Sequence, residues 1–155
     1  MAESQQDRIS YFQEQWELAR KMEAVLRYSS ERAAKAMPLL HQPLTPEQLE
    51  TLEAMGARFA RMSDMLVQKL FRAIDALELV DEGSMIDRLN RMEKRGIIGK
   101  AEDWIEIRQI RNQIAHDYVL KDLLSLYQSI YRHYPFLFQA MAALEKYTKA
   151  RGWSK

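Results

Sequence analysis

Apolar residues recur at steps of three and four along nearly the whole chain, the spacing of one face of an α-helix. Ile9, Phe12, Trp16, Ala19, Met22, Leu26 and Ala33 form one such stripe, and it predicts a first helix from Asp7 or Ser10 to Ser30 or Lys35. Pro38, His41, Pro43 and Pro46 then interrupt the pattern and mark a loop over 37–46, with His41 in solvent. Thr45-Pro46-Glu47-Gln48 spells a helix start, with Thr as N-cap, Pro in the first turn and Gln48 placed for a capping box. Leu49, Leu52, Gly56, Phe59, Ser63, Leu66, Leu70, Ala73 and Leu77 carry the same steps onward, which predicts one long helix ending near Leu79. Gly56 and Ser63 on this stripe permit close approach by another helix or by a second subunit. Met55, Met62 and Met65 widen the apolar surface, as burial against several neighbours, or across a dimer, requires.

A shorter helix is predicted from Ser84 to Arg95, with Ser84 as cap, Asp87 in the first turn and Gly96 as the stop. A fourth should start near Ala101, with Glu102 and Asp103 favourable in its first turn, and run to Tyr118 or Val119. The last segment, 121–151, places Leu124, Tyr127, Tyr131, Tyr134, Phe138, Met141 and Leu144 at helical spacing, and Pro135 must kink or divide it. His133 has no spaced partner and reads as structural or solvated; the tail over 150–155 reads as frayed. The pattern as a whole predicts an all-α fold, an up-and-down bundle of four to five helices with a long second helix. With no repeat and no linker, the chain reads as a single domain over 1–155.

Composition narrows the chemistry. At 155 residues the chain can bury a proper core without staples. Having no cysteine, it has no disulfide, thiolate metal site or thiol nucleophile, which suits a reducing compartment. No apolar run has the length of a membrane span, and Met1-Ala2-Glu3-Ser4-Gln5-Gln6-Asp7 lacks the character of a signal peptide. The expected setting is the cytoplasm, with no membrane. A net charge of +1 means that any affinity for RNA must come from a local patch. One such patch is Arg88, Arg91, Lys94, Arg95 and Lys100 against the single acid Glu93. It admits two readings, cations gathered at a helix C-terminus by the dipole or a guide for RNA phosphates.

The candidate chemistry lies in the fourth helix. Trp104, Ile107, Ile114 and Tyr118 share a stripe with Arg111, a cation where an apolar residue is expected. A guanidinium there must meet a carboxylate, lie at an interface or receive an anion such as phosphate. His116 follows, with an unperturbed pKa suited to proton transfer near neutrality. On an ideal helix Arg111 and His116 stand about 140° and roughly 7.5 Å apart, so a site made by one straight helix is disfavoured. His116 shares its side with Asn112, one turn earlier, which can orient the imidazole. The absence of a glycine-rich phosphate loop and of a His-Glu-x-x-His pair removes nucleotide-loop and zincin chemistry. RNA carries its own nucleophile, the 2′-hydroxyl, so one base and one cation suffice to cleave it.

The spelling Arg111-Asn112-Gln113-Ile114-Ala115-His116-Asp117-Tyr118, an Arg-x4-His-x-Tyr motif with Trp104 one heptad upstream, resembles the signature of the HEPN superfamily of all-α proteins. It looks most like the HEPN toxins encoded beside a small nucleotidyltransferase antitoxin. That resemblance implies a metal-independent endoribonuclease, free of cofactor, acting as a homodimer with its two motifs facing across a cleft. By the same resemblance Arg111 holds the scissile phosphate, His116 transfers protons, Asn112 orients the site, and Tyr118 receives AMP from the partner nucleotidyltransferase, which silences the toxin. A sister group with a similar motif serves as the nucleotide- or substrate-binding subunit of a two-component nucleotidyltransferase. A purely structural reading also stands, with Arg111 paired to Asp64 or Asp75 of the long helix.

Overall fold

Local capping chemistry decides where the helices start. The computed structural model describes residues 2–80, 82–116 and 120–155, and among these the chain is helical with no strand. Helix α1 runs Gln5–Ala36. It begins ahead of the apolar stripe because Ser4 and Asp7 form a capping box: Ser4 Oγ accepts the Asp7 N–H, and the Asp7 carboxylate accepts the Ser4 N–H, each at 3.1 Å. Two donors that no helical carbonyl can reach are thereby satisfied. After a 3-10 turn at Met37–Leu39 and the proline loop, Thr45 and Gln48 make the predicted box at the head of α2, Pro46–Asp64.

The long second helix is continuous but not uniform. Met65–Leu70 is a π-helical turn, and α3, Phe71–Leu77, resumes beyond it, so that the three make one rod over 46–77. A π turn holds more residues than an α turn. Here it turns Met65, Leu66 and Val67 inward in succession.

Ser84 and Asp87 box the start of α4, Met85–Lys94, and Gly96, at φ 76°, stops it as expected. Helix α5 is described over Ala101–His116, and Glu93 of α4 accepts its first N–H at 2.9 Å. The last helix, α6, spans Leu120–Ala150 without division. Pro135 removes one backbone donor, and packing along thirty residues carries the helix through it.

Three helices wrap the rod. Helix α1 runs antiparallel to it, since Gln5 donates to the Leu77 carbonyl at one end while Arg58 donates to the Val25 carbonyl and Ser29 Oγ further down. Helix α5 is also antiparallel: the Trp104 ring lies 5.1 Å from that of Phe71, and Arg108 reaches Asp64. Helix α6 runs parallel, with Ile130 against Gly56 and Tyr147 bonded to Glu78. A Cβ added at Gly56 would meet the Ile130 side chain at 3.5 Å, so the small residue serves contact inside the chain. Met55, Met62 and Met65 are buried by these same neighbours. The width of the rod's apolar surface therefore needs no second copy to cover it.

Two expectations for the C-terminal part are corrected. The inner row of α6 is Tyr127, Ile130, His133, Leu137, Ala140, Met141 and Leu144, while Tyr131, Tyr134 and Phe138 are half-buried one step round. Those rings meet tilted and edge-on, with centroids 5.4 and 5.6 Å apart, and Arg27 of α1 lies over Phe138 at 4.2 Å. Amphipathic rings suit that edge position. His133 is structural, as one reading had it, since its ring bridges the Ser129 carbonyl and Glu106 of α5 at 2.7 and 2.8 Å. Nor is the tail frayed. Gly152, at φ 71°, ends α6 in a Schellman turn with Trp153 N–H on the Thr148 carbonyl, and Gln13 of α1 donates to the Trp153 carbonyl at 3.0 Å.

The basic patch has a use inside the fold. Asp75, on α3, is wholly buried, and Arg91 grips it through Nε and Nη2 at 3.0 and 2.7 Å while Arg95 donates at 2.6 Å and Arg88 stands at 3.8 Å. Three of the five cations of the patch thus bind α4 to the rod; Lys94 and Lys100 stay exposed. Removing the carboxylate while leaving the arginines in place strands buried charge. We expect Asp75→Ala to cost about 3–5 kcal/mol in urea unfolding, whereas Lys94→Ala should leave the midpoint unchanged.

Candidate functional site

The motif helix carries its chemistry where it leaves the core. Ala101, Trp104, Ile107 and Ile110 are buried, and from Arg111 to His116 no residue is. Arg111 and Ile114 lie half-buried on the inward side, and Asn112, Gln113, Ala115 and His116 are exposed. The cation does sit on the inward face, but at the level where the bundle stops covering that face.

Of the partners the sequence offers it, Arg111 takes a carboxylate. Its Nε and Nη2 donate to Oδ1 and Oδ2 of Asp64 at 2.9 and 3.0 Å, a fork-to-fork pair. Arg108, one turn earlier on the same face, donates to Asp64 Oδ1 at 2.8 Å and to the buried Ser63 hydroxyl at 3.0 Å. Two guanidiniums therefore share one carboxylate and leave a local charge of +1. About a third of the Asp64 side chain remains in solvent, as does 30% of Arg111, against 12% of Arg108. Sequence reading named Asp64 as a possible partner and missed Arg108. The available signal was its spacing of three from Arg111, which puts both on one face.

Partial burial pushes the Asp64 carboxyl up, but the hydrogen bonds and charges of Arg111 and Arg108 outweigh it and hold the group below the ordinary carboxylate range. The bond to Asp64, and its charge, raise Arg111 in turn. Each partner of the Asp64–Arg111 pair thus favours the charged form of the other.

Among the described residues none of the other expected site residues hydrogen-bonds to this cluster. Among the described residues Asn112 and His116 make no hydrogen bond with each other, and His116 makes no ion pair. Tyr118, expected as the site of modification, lies outside the described residues. Arg88, Arg91 and Arg95 belong to the Asp75 cluster on α3 and α4.

The class that fold and site define is a helical bundle with two arginines on one carboxylate, one of them 30% exposed, on a helix described as far as an exposed histidine. Compared with known proteins, the chain matches no family model, no curated protein and no solved structure. Among the described residues no helix is long and apolar enough to cross a membrane.

The depressed carboxyl fixes the sign of a pH effect. A folded-state pKa below the unfolded value contributes stability that is complete above about pH 4 and is lost as pH falls through the folded pKa. Asp64→Asn should cost about 1–2 kcal/mol at neutral pH, discounted for exposure. Its urea midpoint should also fall less steeply than that of the parent below about pH 4, as acid-limb unfolding curves would read.

Proposed function

We propose that the chain is a metal-independent endoribonuclease of HEPN type, the toxin of a pair whose partner is a nucleotidyltransferase. The observation that carries this reading is the placement of Arg111: a guanidinium on the inward face of α5, preorganised by Asp64, at the head of a stretch of α5 over 111–116 in which no residue is buried. A fixed cation open to solvent costs no reorganisation when a phosphate's charge develops beside it. In the proposed reaction the RNA 2′-hydroxyl attacks the adjoining phosphorus and gives its proton to His116, Arg111 neutralises the pentavalent phosphate, and the P–O5′ bond breaks as the imidazolium returns that proton to the departing 5′-oxygen, leaving a 2′,3′-cyclic phosphate. Arg108 keeps the cluster at net positive charge. The half-exposed Ile114 on the same inward face supports a second copy facing the motif, which would answer the 140° between Arg111 and His116. AMP carried on Tyr118, two residues past His116, would bring a competing phosphate to the arginine.

One observation favours another reading. The two-point grip of Arg111 on Asp64 is what a purely structural ion pair requires.

Variant kinetics and stability separate the two. On total RNA in the presence of chelator, we expect cleavage by the parent, loss of more than about a hundred-fold in His116→Ala, and a comparable loss in Arg111→Lys, which keeps charge but not the fork. Both variants should melt within a few degrees of the parent. Co-production with a nucleotidyltransferase of the expected kind should place AMP on Tyr118, read by peptide mass spectrometry, and abolish cleavage. A pure protein that leaves RNA intact, with Arg111→Lys acting on stability alone, would sink the ribonuclease reading in favour of the structural one.

A further inference from the structure

The π-helical turn of the rod, Met65–Leu70, borders a hollow between the rod and the start of α1. Such turns are rare and are found most often at functional sites, where they re-aim the residues they carry. This one buries Met65, Leu66 and Val67 and presents Gln68 and Lys69 to solvent. Both line the hollow, of 240 Å³, together with Arg72 from the next turn of the rod and with Glu3, Arg8 and Tyr11. Buried Ala73 and half-buried Ala76 line it as well, and their methyl groups leave open the space that larger side chains would fill.

The charges round the hollow do not cancel. Glu3 stands 3.8 Å from Arg8, whose Nη1 also donates to Gln5 Oε1 at 3.4 Å. Asp7, whose charge reaches Arg8 too, is turned to the Ser4 cap and does not line the space. Among the described residues the side chains of Lys69 and Arg72 have neither an ion pair nor a hydrogen bond, and the Gln68 amide and the Tyr11 hydroxyl have no hydrogen-bond partner. Like charges three residues apart on a helix repel one another. Three cations against one acid leave the lining with a local charge of +2.

We propose that this hollow binds a phosphomonoester carried on a flat ring, a nucleoside monophosphate, with the phosphate among Lys69, Arg72 and Arg8 and the ring against Tyr11. The class of ligand follows from charge, ring and size. A phosphomonoester brings about −1.5 to −2 and three acceptor oxygens at neutral pH, which matches the lining, whereas a carboxylate or an internal RNA phosphate brings a single charge. The Tyr11 ring, 40% exposed, supplies a face on which a base stacks. The hollow is smaller than the roughly 300–1,000 Å³ of sites for larger organic ligands, so it suits a mononucleotide and not a dinucleotide. None of its residues belongs to the Arg111–Asp64 cluster, so the site stands apart from the ribonuclease reading.

The test is calorimetric titration of the full chain with adenosine and uridine 5′-monophosphates, a large and a small base, beside the two nucleosides and inorganic phosphate. Saturable binding of the monophosphates is expected, at least about ten-fold tighter than that of the nucleosides. Lys69→Gln with Arg72→Gln should weaken it by about ten-fold or more with the melting temperature unchanged, since both side chains are exposed, while Arg111→Lys should bind as the parent does. Tyr11→Leu should bring the nucleotide affinity down to that of inorganic phosphate and leave the latter as it was. Binding should also fall as pH drops through about 6, where the monoester takes up a proton. No saturable binding of either monophosphate, equal affinity for nucleoside and nucleotide, or an affinity that Arg111→Lys lowers and the Lys69 and Arg72 exchanges do not, would overturn the proposal.

Discussion

A helix enclosed on three sides must find a partner for every polar group it carries inward, and the rod over 46–77 carries two acids toward its neighbours, Asp64 and Asp75. The positions of α4 and α5 are tied to satisfying them. Asp75, fully buried, draws Arg91 and Arg95 from α4 into direct hydrogen bonds, with Arg88 close by. Asp64, near the open end of α5, draws Arg108 and Arg111. The same chemistry thus serves two ends. Where the carboxylate is sealed from water the arginines pin one helix to another, and where it is one-third exposed Arg111 keeps 30% of its side chain in solvent.

That difference in depth separates structural from available charge. Net charge near zero conceals a molecule with three arginines spent internally on Asp75 and with Arg61, Lys69 and Arg72 of the rod exposed. Counting cations along the sequence left 88–95 open between a helix C-terminus that gathers cations and a guide for RNA phosphates. Burial adds a third use, since Arg88, Arg91 and Arg95 gather on the fully buried carboxylate of Asp75 and tie α4 to the rod. The π-helical turn lies between the two acids and is flanked by both charge arrangements, with Asp64 at its entrance on the α5 side and Gln68 and Lys69 turned out toward α1.

Periodicity and capping are local physics, set within four residues, and they were legible. The rod's stripe, the boxes at Thr45 and Ser84, and the stop at Gly96 all stand where the sequence puts them. The displaced row on α6 shows the limit. With Tyr131, Tyr134 and Phe138 beside Ile130, His133 and Leu137, two apolar rows run side by side, and only the neighbouring helices choose which faces in. The site was legible as a motif and not as a constellation, since Arg111 and Asp64 are 47 residues apart and any of several acids satisfied the chemistry equally.

By itself, then, the sequence determined that this protein is a bundle of helices, where most of them begin and stop, and that Arg111 and His116 share one helix on different sides. Tertiary structure alone decided which acid each arginine meets, which cations stay open to solvent, and that the tail docks on α1. The reason is range. Helical hydrogen bonds and caps are chosen among residues a few steps apart, whereas ion pairs and burial are chosen among surfaces that exist only once the helices have packed.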